Sequence, residues 1–169
     1  MIKGYKCFNK DMTNRYGIKF EVGKTYTTFG NIKFGLNGNG YHMCKNMEDT
    51  LRYYDAIGDD VIICEVTGYG KYVLDEDDYY GYYDMYSVEI IKIERMISRD
   101  EIIEIALNLN EIQVLHFIKT FKLNTEEINL FKNKFKNFPL VIQSIEYYQE
   151  NNLEVFSLIR KRWLSWIKK

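Results

Sequence analysis

Residues 38–70, GNGYHMCKNMEDTLRYYDAIGDDVIICEVTGYG, place a glycine-rich turn, an aromatic strand, a short helix and a second apolar strand in one unit. In the first strand Tyr41 and Met43 alternate with His42 and Cys44, so an imidazole and a thiol project from the same face. A helical pattern follows, and the run DVIICEV predicts the next strand. This unit predicts two strands joined by a crossing helix.

The β-type pattern extends over the first 97 residues. Short apolar runs such as KTYTTF, DVIICEV, KYVL and YSVEIIKI are separated by Gly, Asn and Asp turns, with Gly68-Tyr69-Gly70 read as one of these turns. The helical pattern inside this region covers residues 46–55, with Asn46 as its cap. We expect a mostly antiparallel sheet with one short crossing helix over residues 1–97.

The apolar period becomes helical at Ser98 and stays helical to the end of the chain. Ser98 and Glu101 form a capping box, and Asn110, Asn124 and Pro139 mark later helix starts. The pattern predicts a bundle of about five short helices. The expected fold class is α+β, with a β-rich domain over residues 1–97 and a helical subdomain packed on it over residues 98–169.

Composition excludes several classes of protein. The 169 residues are 46% hydrophobic, which supplies a core without disulfides. The three cysteines are odd in number and form no CxxC motif, which favours a reducing compartment. No apolar run approaches the roughly 20 residues of a spanning helix, and the N-terminus resembles no signal peptide. We expect a cytoplasmic protein without a membrane partner.

An acidic, tyrosine-rich segment is the strongest candidate for a partner surface. Tyrosine supplies large contact area at low entropic cost, and clustered carboxylates attract a basic groove. A solvated loop that only aids solubility is the alternative interpretation. The residues of this segment are Asp75, Glu76, Asp77, Asp78, Tyr79, Tyr80, Tyr82, Tyr83, Asp84 and Tyr86.

The C-terminal end of the chain is basic and forms a second candidate partner surface. Favourable interaction with the dipole of the last predicted helix explains part of this charge. The basic residues are Arg160, Lys161, Arg162, Lys168 and Lys169.

His42 and Cys44 are candidate metal ligands or a thiol–imidazole pair. Cys7 or Cys64 could add a third zinc ligand, but the spacing matches no zinc signature and cysteine is often buried in ordinary cores. A nucleophilic pair would also need a third orienting group, which the sequence does not supply. We expect His42 and Cys44 to be structural, with no bound metal.

Four ordered motifs are similar to a small uncharacterised domain family of phage and prophage proteins. The matching segments are Tyr5–Met12, Phe20–Tyr26, Gly40–Asn46 and Glu65–Gly68, where members of that family read KGF-DKDM, EVGK-Y, GFH-C-NP and V-x-x-x-G. The chain has Cys7 where the family usually has Gly, and Met47 where it usually has Pro. The resemblance covers about residues 1–97 and implies an origin in a mobile element.

A second likeness is to the central unit of small ADP-ribosyltransferases, which bind a nicotinamide dinucleotide. The resemblance implies that Tyr41 or His42 lies in the nicotinamide pocket and that Tyr53 or Tyr54 stacks on the ligand. It also implies a catalytic carboxylate, supplied by Glu89 or Glu94. The early His-Gly or Arg-Gly pair of that family is missing, with Tyr5-Lys6 in its place. The likeness is one of fold and carries no proof of activity.

These observations favour a non-catalytic binding protein of phage or mobile-element origin that needs no cofactor. Its expected partner is a host protein, such as a defence nuclease or another nucleic-acid-handling complex, which it would inhibit as an anti-CRISPR-like, anti-defence protein. Direct contact with nucleic acid is left open. The alternative function is a small ADP-ribosyltransferase-like enzyme that uses NAD.

Overall fold

The computed structural model of the chain describes residues 1–34, 38–53, 61–75 and 85–150. The chain divides into two compact units, Met1–Ile105 and Ala106–Lys169. The strands of the described residues lie in the first unit, and their α-helices begin at Arg99.

The described part of the first unit contains five strands. They are β1 (Ile2–Asn9), β2 (Thr25–Thr27), β3 (Tyr41–Cys44), β4 (Val61–Leu74) and β5 (Met85–Met96). β1 pairs with β4 over its full length, β4 with β5, and β5 with β3, all antiparallel. The pair Tyr5–Cys44 joins β3 back to β1 and closes the ring. β2 pairs with residues 90–92 of β5, next to the residues of β5 that pair with β3.

The expected fold class, a sheet with a crossing helix followed by about five helices, was therefore wrong in its architecture, although the structure is α+β. Four strands form a closed antiparallel barrel. The register between β4 and β5 shifts at Glu65/Val66 and at Tyr69/Tyr72, and such bulges bend and twist a strand pair. The segment Gly68–Gly70, expected as a turn, lies within the single long strand β4.

Close approach inside the barrel explains two of its glycines. Gly4 pairs with Val66 and Gly68 pairs with Ile91, both on the inward face. A Cβ atom on Gly4 would lie 2.2 Å from the Cys44 carbonyl oxygen, and one on Gly68 would lie 2.8 Å from Val88. Small residues at these positions therefore allow strands to curl around a narrow interior.

The barrel core is apolar and continuous. Phe20 lies between two other aromatic rings of the core. Its ring centroid lies 5.1 Å from that of Phe8 and 4.7 Å from that of Tyr26. The buried cluster comprises Phe8, Met12, Phe20, Met43, Cys64, Val66, Val88, Ile91 and Ile93.

The crossing helix predicted at residues 46–55 is a 3-10 helix over Glu48–Tyr53. Asn46 donates a hydrogen bond from Nδ2 to Asp49 Oδ2 at 3.0 Å. Met47 and Leu51 are fully buried, and the helix packs on β1 and β3. Its apolar face therefore covers part of the barrel's outer side.

Four α-helices follow in the described residues, rather than about five. They are α1 (Arg99–Leu107), α2 (Glu111–Thr120), α3 (Thr125–Lys134) and α4 (Pro139–Ile145), after which Glu146–Glu150 is π-helical. The last predicted helix, around Phe156–Ile167, lies outside the described residues.

The predicted caps are present. Ser98 and Glu101 form a reciprocal capping box, as do Asn110 with Gln113 and Asn124 with Glu127. These pairs satisfy backbone N–H groups that a helix start leaves without intrahelical partners. Pro139 occupies the first turn of α4.

Stacked phenylalanine rings form the core of the helical unit. The Phe117 ring lies 4.9 Å from the Phe121 ring and 5.9 Å from the Phe131 ring, nearly parallel to both. The side chain of Gln149 forms hydrogen bonds with the backbone at and after the end of α2. Its Oε1 accepts from Leu123 N at 2.9 Å, and its Nε2 donates to the carbonyl oxygens of Ile118 and Phe121. A polar side chain therefore satisfies backbone groups at a half-buried helix end.

Candidate functional site

The acidic tyrosine segment connects β4 to β5, and the structure describes its two ends. Asp75 N donates to Met85 O at 2.9 Å, and Leu74 pairs with Tyr86. Residues 76–84, which include most of the predicted contact residues, lie outside the described residues. The antiparallel pairing of β4 and β5 therefore brings the two ends of the segment together at one end of the barrel.

An exposed apolar strip lies beside this connection. Tyr72 is 58% exposed, and Val73 and Leu74 are each 39% exposed. The Tyr72 and Tyr86 rings meet edge to face with centroids 6.2 Å apart. Tyr72 and Leu74 project from the same face of β4 as Tyr86 does from β5, whereas Val73 projects from the other face. Exposed apolar side chains that lie together in this way are typical of a surface that contacts more than water. We call Tyr72, Leu74 and Tyr86 the apolar strip.

A cavity of about 370 Å³ opens where β1 and β3 diverge. The two strands are joined by the pair Tyr5–Cys44, and beyond it the contact between them that is described is the bond from the Lys6 side chain to the His42 carbonyl oxygen. The loop that contains Arg15 and Tyr16 lines the other side of the opening. Incomplete pairing at one seam of the barrel thus produces the cavity.

Lys6 extends from the inward face of β1 into this cavity. It pairs with the buried Cys64, and its Nζ lies 5.8 Å from the centre of the Phe8 ring. The Nζ donates to the His42 carbonyl oxygen at 2.5 Å. The pKa of Lys6 is lowered to about 8, because desolvation of the ammonium, with a smaller contribution from the Arg15 charge, outweighs the opposing effects of Cys44 and Cys7.

Arg15 supplies a second cation at the mouth of the cavity. Its guanidinium lies over the Tyr16 ring, 4.8 Å from the ring centre, and donates to the Tyr16 hydroxyl at 2.5 Å. Tyr16 is 72% exposed. A planar cation stacked on an exposed ring keeps its remaining donors available to a ligand.

His42 lies at the rim, on the outward face of β3. Its ring is tilted by 35° against Phe34, with centroids 4.8 Å apart. Desolvation, followed by the charges of Lys6 and Arg15, lowers the pKa of His42 below its ordinary value of 6.5, although Asp75 opposes this. The exposed imidazole is therefore neutral near pH 7.

The three cysteines are buried and form no disulfide, and they form no metal site in the described part of the chain. Burial raises the pKa of Cys7 strongly and that of Cys64 to about 12. A thiolate is the nucleophilic form of cysteine, so these two thiols are unreactive near neutral pH. His42 and Cys44 share the outward face of β3, but Cys44 is buried whereas His42 is exposed.

The two candidate catalytic carboxylates do not line the cavity that Tyr41 and His42 line. Glu89 accepts a hydrogen bond from Lys71 N at 2.9 Å, at the bulge in β4. Glu94 accepts from Lys92 Nζ at 2.5 Å and from Thr67 Oγ1 at 2.7 Å, and these bonds lower its pKa.

Two further sets of predicted site residues lie outside the part of the chain that the structure describes. The Tyr53 side chain and all of Tyr54 lie outside the described residues, so their predicted stacking role stays a prediction. The same holds for the basic residues of the C-terminal end.

Sequence reasoning missed Lys6 and Arg15. A signal for Lys6 was present, since Ile2, Gly4, Lys6 and Phe8 alternate along β1 and the lysine interrupts an otherwise apolar face. Arg15 carries no such signal, because its loop meets β1 and β3 only through tertiary folding.

Residues 2–104 match the family described as Domain of unknown function (DUF7666), and the chain belongs to this family. The match confirms an uncharacterised domain family over the N-terminal part of the chain. No curated protein and no solved structure matches the chain. Within the described residues, no helix combines the length and apolar character required to cross a membrane.

Proposed function

We propose that the chain is a non-catalytic binding protein of phage or mobile-element origin that acts in the cytoplasm on a host protein. A defence nuclease or another nucleic-acid-handling complex is the partner class, and the effect would be inhibition, as for an anti-CRISPR protein. The apolar strip beside the acidic tyrosine segment is the observation that supports this function.

The strip and the segment have complementary roles in such an interface. Tyr72 and Leu74 supply apolar surface that is exposed in the free protein, and burying it on a partner is favourable. The carboxylates that follow the strip in the sequence give this part of the chain a negative charge, which favours a basic partner surface. Three buried cysteines without a disulfide also suit a reducing compartment.

Affinity capture from host cells tests the proposal with a matched pair of variants. The double variant Tyr72→Ser/Leu74→Ser removes the centre of the apolar strip. The control, Ile112→Ser/Leu130→Ser, removes two apolar side chains of the helical unit that are 66% and 51% exposed. Thermal unfolding of all three proteins verifies that each is folded.

We expect a partner that the wild type and the control retain and the strip variant loses. Loss of two central apolar contacts should cost at least about 2 kcal/mol, which weakens binding roughly 30-fold. A partner retained equally by all three proteins would contradict the proposed surface.

The NAD-dependent alternative is favoured by one observation, that Tyr41 and His42 line the same cavity. It requires a carboxylate that can reach this ligand, whereas Glu89 and Glu94 bond to other groups. Incubation with labelled NAD tests it, with Glu89→Gln and Glu94→Gln as variants. Label transfer or NAD cleavage that either variant abolishes would replace the binding function with the enzymatic one.

A further inference from the structure

We propose that the cavity between β1 and β3 binds a nucleotide, with Lys6 and Arg15 holding the phosphate and the aromatic rim stacking on the base. This site does not depend on the apolar strip or on the identity of a protein partner. The shared ligand chemistry is a phosphate joined through a sugar to a planar base, whether in a free nucleotide or at the end of a single strand.

The charge of the cavity is the first step of the argument. Lys6 and Arg15 both line it, and no carboxylate does so among the described residues. Neither cation forms an ion pair in this part of the chain. The contacts of the Lys6 ammonium are a carbonyl and an aromatic ring, so its charge is not compensated. Enclosing such a charge costs free energy unless an anion binds there.

The geometry of these donors suits a phosphate. One hydrogen bond from Lys6 Nζ is described, to the His42 carbonyl, and an ammonium carries three donors. Arg15 contributes a planar fork that binds two phosphate oxygens at once. The Lys6 ammonium and the Arg15 guanidinium at the same opening can together hold a terminal phosphate.

The rim provides the second half of the site. Tyr16, Tyr41 and His42 line the cavity, and the Tyr16 ring is largely exposed. Stacking of a base on an aromatic side chain stabilises binding without requiring a particular base. The lowered pKa of His42 keeps its ring neutral, so it adds a stacking surface rather than a third charge.

The size of the cavity limits the ligand. A volume of about 370 Å³ is near the lower end of the roughly 300–1,000 Å³ typical of small-molecule sites. Two cations are also few for a duplex, whose binding commonly involves about 6–10 phosphate contacts. A mononucleotide or a single terminal nucleotide is therefore the class of ligand that fits.

Isothermal titration calorimetry on the full chain tests this site. The probes are AMP, GMP, CMP, UMP, NAD, adenosine, inorganic phosphate, and one trinucleotide with and without a 5′-phosphate. The variants are Lys6→Met and Arg15→Gln. Lys24→Met is the matched control, because Lys24 lies outside the cavity, is exposed and pairs with Glu21.

We expect at least one monophosphate to bind at least about tenfold more tightly than adenosine or inorganic phosphate, since each of these supplies half of the contacts. Lys6→Met and Arg15→Gln should each weaken this binding at least about tenfold, and Lys24→Met should leave it unchanged. Tighter binding of the 5′-phosphorylated trinucleotide than of any monophosphate would identify a strand end as the source.

Two results would overturn the proposal. One is the absence of binding by every phosphate-bearing probe at concentrations up to about 10 mM, above the millimolar range of weak specific sites. The other is binding that survives both Lys6→Met and Arg15→Gln, because the ligand would then lie elsewhere. Circular dichroism of each variant separates a lost site from a lost fold.

Discussion

Replacing Lys6 with methionine should change the pH dependence of folding in a defined direction. Methionine has a similar length and no charge, so Lys6→Met removes the ammonium and keeps most of the packing. The pKa of Lys6 falls from 10.5 to about 8 on folding. Between these values the unfolded chain binds a proton that the folded chain has released, so the free energy of unfolding of the wild type rises with pH.

The size of this effect follows from the pKa change. One pH unit corresponds to about 1.4 kcal/mol, which sets an upper limit of about 3 kcal/mol for the full interval. Lys6 is only partly buried, and solvent screening reduces the effect to about 1–2 kcal/mol. Below about pH 8 the folded wild type retains an enclosed ammonium, whereas the variant has none. The stability advantage of the variant should therefore be largest near pH 7 and shrink by about 1 kcal/mol toward pH 9.5, because pH 9.5 lies only part of the way from the folded to the unfolded pKa.

Urea unfolding monitored by circular dichroism, at several values between about pH 7 and pH 9.5, measures this difference. The raised pKa values of Cys7 and Cys64 lower the stability of both proteins above about pH 9, so this contribution largely cancels in the comparison. Lys24→Met is the control, because Lys24 is exposed and its pKa is raised by Glu21. A wild-type-to-variant difference that stays constant with pH would refute the enclosed ammonium.

Three further predictions concern the rest of the structure. Gly70→Ala should destabilise the fold by more than about 1 kcal/mol in thermal unfolding, because Gly70 has φ +74° and a Cβ atom would lie 2.4 Å from Glu89 Oε2; an unchanged melting temperature would contradict this packing. Asn110→Ala should cost about 1 kcal/mol through loss of a capping bond, whereas Asn110→Asp should restore most of it. Buried Cys64 should resist a thiol reagent near pH 8 until denaturant is added, and rapid native labelling would show that it is accessible.

The two candidate surfaces of the barrel unit can be tested separately. The apolar strip is a feature of β4 and β5, and its proposed partner is a protein. The cavity is a feature of β1, β3 and the loop containing Arg15, and its proposed ligand is a nucleotide.

The sequence by itself determined the local elements of this protein. The capping boxes at Ser98, Asn110 and Asn124 and the Pro139 start of α4 were all predictable. These features depend on residues three or four positions apart, so a short window of sequence contains all the groups that form them. The β-type first half was equally visible, because burial on one face of a strand produces a period of two.

Only the tertiary structure decided how the strands close. The seam between β1 and β3 rests on Tyr5 pairing with Cys44, 39 positions later, and periodicity does not specify a partner at that distance. Gly68-Tyr69-Gly70 resembles a turn in sequence, yet Glu89 from β5 accepts a hydrogen bond at the bulge and the strand continues. The cavity depends on the same closure, because Lys6, Arg15 and His42 come from three separate segments that meet only when the ring of strands is complete.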